Sequence, residues 1–150
     1  MNKYLKACLN EAYKAFNKLE VPVGCIIVDN NGKIVSRAHN LRESKQNSLA
    51  HAEIIAINKA CKKLNSWRLR DCEMYITLEP CVMCTGAIIQ AQLKKVHFFA
   101  LDKRNGSIVS NNNLLDANYT HKVLYEYTYY EECSKVMSDF FKLLRKRKKD

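Results

Sequence analysis

The sequence predicts an α/β fold, a mostly parallel sheet covered by helices, on three observations. Apolar residues recur at helical spacing in four stretches, and strand-like runs fall between them, the alternating order of a helix-covered sheet. The 150 residues are enough to bury one core, so a single domain over 1–150 is expected. Hydrophobic residues make up 47% with only four Gly and two Pro, which favours packed elements over linkers or low-complexity segments.

The elements follow in order. Residues 3–19 place Leu5, Leu9, Ala12, Phe16 and Leu19 on one helical face. Glu20-Val21-Pro22 ends that helix, because proline disfavours a helical residue before it. Val23 to Val28 is a continuous apolar run and reads as a buried strand. Asp29-Asn30-Asn31-Gly32 is a turn signal, and Lys33 to Ala38 returns as the second strand of a hairpin. Residues 40–48 are polar and read as a loop. Ala50 to Leu64 is helical through Ile54, Ile57, Ala60 and Cys61. Cys72 to Thr77 is a strand with Met74 and Ile76 on one side, followed by a Leu78-Glu79-Pro80 turn. A helix then starts at Pro80 or Cys81 and runs to about Gln92. Val96 to Ala100 is a strand. Asp102 to His121 has no clear element, and loops that long in compact domains tend to be functional. Lys122 to Tyr127 is the last strand, alternating Val123, Tyr125 and Tyr127. Glu131 to Lys148 is a helix with Cys133, Val136, Met137, Phe140 and Leu144 on one face.

Composition narrows the function. No apolar run approaches the roughly 18 residues of a membrane span, so no membrane partner is expected. Met1-Asn2-Lys3-Tyr4-Leu5 lacks the layout of a signal peptide, which makes a cytoplasmic location the default. The net charge of +10 and pI of about 9.3 favour a polyanionic partner, nucleic acid ahead of membrane surface. A lysine-rich surface drawn from a biased genome is the plainer alternative. Seven cysteines is an odd, scattered set. Cys8, Cys25, Cys61, Cys72 and Cys133 read as small core residues of a reducing compartment.

The other two cysteines carry chemistry. His51-Ala52-Glu53 is followed about thirty residues later by Pro80-Cys81-Val82-Met83-Cys84. One imidazole and two thiolates suit Zn²⁺, and three protein ligands leave the fourth tetrahedral position open, as in a catalytic site. Cys81 and Cys84 are three apart, so a helix would bring them to one face, and its N-terminus favours thiolates. Glu53, two residues from His51, is badly placed as a ligand but available as a proton carrier. A redox pair at Cys81 and Cys84, or a structural zinc with a fourth ligand, are the alternatives.

These motifs are those of zinc-dependent nucleobase deaminases. The chain resembles the cytidine-deaminase-like superfamily, and more closely the bacterial TadA-type tRNA adenosine deaminases, nearly end to end. The likeness rests on Glu20-Val21-Pro22-Val23-Gly24, Asn40, Ala50-His51-Ala52-Glu53, Thr77-Leu78-Glu79-Pro80-Cys81-Val82-Met83-Cys84, Asp102 with Gly106, and Ser138-Asp139-Phe140-Phe141. It departs at Leu49, where the family usually has Thr, and in the glycine-poor loop from Ser107 to Asn118. The resemblance implies a three-layer α/β/α fold around a five-stranded mixed sheet, and a homodimer with one Zn²⁺ per subunit. It implies deamination of adenosine to inosine at the wobble position of a tRNA anticodon stem-loop. By that similarity His51, Cys81 and Cys84 bind zinc and Glu53 shuttles protons. Asn40 would bond the flipped base, the backbone before Ala52 and around Pro80 and Cys81 would help hold base and water, and Asp102 with the C-terminal helix would meet the anticodon loop.

The chemistry alone leaves the substrate open, since attack on adenine, guanine or cytosine needs the same machinery. The basic segment 142–149, with Arg145 in it, could neutralise phosphates or could be a solvated helix end complementing the macrodipole. Phe140 falls on the core face; Phe141 lies off it and is the better candidate for stacking on a base. Rival readings are a guanine, cytosine or nucleoside deaminase on the same fold, and a non-catalytic RNA-binding zinc protein.

Overall fold

The structure, a computed structural model, describes residues 1–149. Helix α1 spans Lys3–Asn17, with the Asn2 side chain accepting the Leu5 N–H at 2.8 Å as its N-cap. It stops two residues before the expected end: Leu19 takes a left-handed φ of 60° and turns outward, while Glu20 N–H closes on Ala15 O. Strand β1 (Gly24–Val28) is buried along its whole length, and β2 (Ile34–His39) returns beside it. Asp29 builds the hairpin turn by accepting the N–H groups of Asn31 and Lys33, with Gly32 at φ 82°.

Residues 40–48 are not all loop. A short helix, α2, forms over Arg42–Lys45 because the carboxylate of Glu20 accepts the N–H groups of Glu43 and Ser44. Then come α3 (Ala52–Leu64), β3 (Glu73–Ile76), α4 (Val82–Gln90), β4 (Lys95–Phe98), a single 3-10 turn at Leu114–Asp116, β5 (Leu124–Tyr127) and α5 (Glu131–Lys149).

The five strands form one mixed sheet in the order β2-β1-β3-β4-β5. The β1–β2 and β1–β3 pairs are antiparallel, and β3–β4 and β4–β5 are parallel. The mixed sheet of the resembled superfamily is therefore the one found, and the mostly parallel sheet read from alternation alone is corrected. The tight hairpin forces β1 against its neighbour's direction. β2, α3 and β3 still make a crossover between co-directional strands, with β1 inserted between them.

Helices α3 and α4 cover one face, where Met74, Ile76, Ile88, Val96 and Phe98 form the main core. Helices α1 and α5 cover the other, where Leu5, Leu9 and Cys133 pack and Phe140 meets Phe16 edge to face at 5.7 Å. β5 is an edge strand: Val123 before it is buried, whereas Tyr125 is 41% exposed and does not share the buried side that its alternation with Val123 suggested. No helix among the described residues is long and apolar enough to cross a membrane.

The contact between α1 and β1 leaves no room for a side chain at Gly24. A β-carbon there would lie 1.9 Å from the Cys8 carbonyl oxygen. Gly24→Ala is expected to destabilise the fold by about 3 kcal/mol or more, as overpacking against backbone does. Urea unfolding measures this; a loss below about 1 kcal/mol would mean that α1 slides freely on the sheet.

Candidate active site and metal centre

The parallel strands end at one edge of the sheet, where α/β folds place their ligands. Thr77–Pro80 leaves β3 there, Phe99–Asp102 leaves β4, and Asn40 follows β2. His51 is the N-cap residue of α3, and Cys81 is the N-cap residue of α4. Two helix N-termini therefore converge on the site and favour anionic sulfur.

Among the described residues, His51, Cys81 and Cys84 bring their ligand atoms within 4.8 Å of one another, with His51 Nδ1 and Cys81 Sγ 3.8 Å apart. Ligands sharing one tetrahedral zinc lie about 3.5–3.8 Å apart, so the three side chains fit one ion. The protons are distributed to match. Hydrogen bonding from Cys84, helped by His51, holds the Cys81 thiol down to about 4. The same contact and burial push Cys84 far above the ordinary thiol range. The pair thus already carries one negative charge, and a cation would displace the remaining thiol proton.

Glu53 sits in the first turn of α3, buried at 4% exposure, and faces the same cavity. Burial, with the Cys81 charge adding to it, pushes its carboxyl up to about 7. A carboxyl that titrates near neutrality can both take and give a proton at working pH. Asn40 Oδ1 accepts the Ala52 N–H at 2.7 Å. The amide oxygen is thereby committed, and the Asn40 NH₂ is left as the donor toward the cavity. Ala52 and Pro80 are buried behind this wall; Pro80 O accepts the Ser107 N–H at 3.0 Å.

The cavity holds about 550 Å³, ample for a nucleobase and its sugar. Asp102 lines it, and its carboxylate is engaged locally, accepting the N–H groups of Arg104 and Asn105. Phe141 lines it too, 41% exposed and edge-on to the buried Phe140 at 5.5 Å. Arg145 is exposed one turn further along α5 and does not line the cavity.

Several lining residues escaped the sequence reading: Arg42, Arg104, Asn105 and Glu79. Glu79 is 2% exposed. Its carboxylate accepts the N–H groups of Asp102, Ile108, Val109 and Ser110 and the Ser110 hydroxyl, so it winds residues 102–110 around itself. Gly106 lies against it; a β-carbon there would fall 2.2 Å from the carboxyl carbon. The available signal was an acid inside an apolar frame, Ile76-Thr77-Leu78-Glu79-Pro80.

A helix-covered mixed sheet with a His/Cys/Cys cluster beside a buried glutamate defines a zinc-binding deaminase. Residues 1–100 match the cytidine and deoxycytidylate deaminase zinc-binding region. The chain is 50% identical over 143 residues to the tRNA-specific adenosine deaminase of Aquifex aeolicus, covering 95% of this chain and 94% of that one. It is 45% identical over 148 residues to the protein of the same name from Bacillus subtilis, covering 97% and 91%. A chain solved in studies of A-to-I editing by tRNA:A34 deaminases at the wobble position of transfer RNA superposes with a TM-score of 0.82 at 28% identity, covering 91% and 97%. The chain belongs to the family of tRNA-specific adenosine deaminases.

Proposed function

We propose that this chain deaminates adenosine to inosine at the wobble position of tRNA anticodons. The observation that carries the reading is the buried Glu53 beside a three-ligand cluster with one side open, in a chain matched almost end to end by tRNA-specific adenosine deaminases. His51, Cys81 and Cys84 would hold one zinc per subunit. When bound, zinc supplies a Lewis acid that makes water nucleophilic near neutral pH.

The chain's own groups do the rest. An adenine splayed out of a single-stranded anticodon loop enters the cavity, so little duplex has to be opened. The Asn40 NH₂ donates to an acceptor nitrogen of the base. Glu53 receives the proton that water gives up and delivers it to N1 as oxygen adds to C6. It then carries the proton of the new C6 hydroxyl to the exocyclic amine, and as the C6–N bond breaks ammonia leaves and the C6 oxygen becomes a carbonyl. Adenosine and water become inosine and ammonia, and Glu53 returns to its starting state.

The same reading carries a homodimeric, cytoplasmic enzyme made of one deaminase domain. Leu49, Val82 and Val109, on segments bordering the cavity, are 56%, 61% and 44% exposed, an apolar rim suited to a second copy of the chain. All seven cysteines are unpaired, as suits a reducing compartment. Phe141, Asp102 and the basic end of α5 with Arg145 lie toward the RNA.

The test is an inosine assay on a short anticodon stem-loop with adenosine at the wobble position. Inosine is expected from the zinc-loaded protein. Activity confined to free bases or nucleosides would replace this reading with a small-molecule deaminase.

A further inference from the structure

Two buried glutamates fold the two sides of the cavity mouth by the same device. Glu20, 1% exposed, accepts the N–H groups of Glu43 (3.0 Å) and Ser44 (2.6 Å) and the Ser44 hydroxyl (2.6 Å). That wraps α2 around it and puts Arg42 at the mouth. Glu79 gathers residues 102–110 and puts Arg104 at the mouth. Both arginines are exposed, and among the described residues neither forms an ion pair. Three acids beside them are committed, Glu20 and Glu79 to loop amides and Asp102 to the N–H groups of residues 104 and 105, and Glu43, next to Arg42 in sequence, makes no ion pair with it.

We propose that Arg42 and Arg104 form a two-sided phosphate clamp, and that Glu20 and Glu79 are the positioning residues that hold its jaws. Depth is the reason. Glu53 is buried at the cavity floor, whereas the two arginines are exposed at its mouth. A base that reaches the floor, with its sugar behind it, leaves its flanking phosphates at the mouth. A guanidinium with its donors unspent is the group that recognises a phosphate there. The clamp selects a nucleotide within a strand over a free base, because a free base carries no phosphate to the mouth. It rests on the RNA deaminase reading above and adds the residues that select the polymer.

The experiment uses the zinc-loaded protein and the wobble-adenosine stem-loop, with binding followed by fluorescence anisotropy across a salt series and inosine measured in parallel. Arg42→Gln and Arg104→Gln are each expected to weaken binding about tenfold and to lower the slope of log K against log salt by about 0.7–1, one phosphate contact apiece. In turnover the loss falls mainly on KM. Lys63→Gln, on the last turn of α3, removes the same charge away from the mouth and sets the background. Glu79→Gln cannot accept the full set of amides, so it is expected to copy the Arg104→Gln salt slope. The double variant is then expected to bind no more weakly than the worse single one, because both remove one contact. Wild-type slopes in both arginine variants, beside normal wild-type inosine formation, would overturn the clamp and leave the deaminase reading standing. Additive losses in the Glu79–Arg104 pair would overturn the positioning role. No inosine from the wild type would remove the reading on which the clamp rests.

Discussion

Glu53→Gln is expected to lower deamination of the stem-loop by roughly a thousandfold or more, the contribution of a positioned acid–base group that acts more than once per turnover. The substitution keeps shape and volume in a site that is 4% exposed, so the fold should be unchanged. Zinc content should also hold, because the cluster is made by His51, Cys81 and Cys84 without Glu53. Glu53→Ala removes the same proton carrier with the side chain. If the two variants fall together, the carboxyl is the active element and the space it fills is secondary. Measuring kcat with metal content by plasma emission decides the matter. A Gln variant that retained a tenth of wild-type turnover with full zinc would end the proton-shuttle role.

Cys84→Ala is the second large effect and fails by a different route. Cys84 is fully buried in the first turn of α4, so no water can replace its sulfur cheaply. Loss of the third ligand should cost more than the ~100-fold in metal affinity that outer-shell changes cost. The purified variant is then expected to contain almost no zinc and to make no inosine. Stability adds an independent readout. His51 heads α3 and Cys81 heads α4, so one ion held between them would tie two helices together. A chelator should lower the Tm of the wild type and leave that of Cys84→Ala unmoved. Full metal occupancy in the variant would overturn the ligand assignment.

The His/Cys/Cys cluster and the buried Glu53 were legible because each pair is a local pattern, His-x-Glu at one helix start and Cys-x-x-Cys at another. Burial patterns told as clearly in α1 and β3, where Met74 and Ile76 share the main core. What escaped depends on contacts across the chain. Helix α2 is only four residues long, and its amides are taken up by Glu20, more than twenty positions earlier. No local propensity records that bond. Asp102 to His121 read as featureless because its order comes from Glu79, Ile108 and Leu115, which are buried only once the loop is wound. Arg42 and Arg104 went unremarked for the same reason, since nothing local marks them as lining the cavity. Strand order escaped as well: the hairpin was legible, but alternation of helices and strands cannot reveal that β1 slips between β2 and β3.

The buried carboxylates have a thermodynamic consequence. Burial alone would raise Glu11, Glu20 and Glu79. Hydrogen bonds from His39 and Lys14 to Glu11, from Ser44 and Glu43 to Glu20, and from Ser110, Val109 and Asp102 to Glu79 outweigh it and hold each carboxyl below its ordinary range. The unfolded chain therefore binds protons at a higher pH than the folded one. The stability these groups supply is complete above the ordinary glutamate value of about 4.3 and drains as pH falls through the lower folded values. In acid, a proton competes with backbone amides for the same oxygens. Two of the three, Glu20 and Glu79, build the mouth of the cavity, so the enzyme should lose its grip on RNA by the same titration that begins to unfold it.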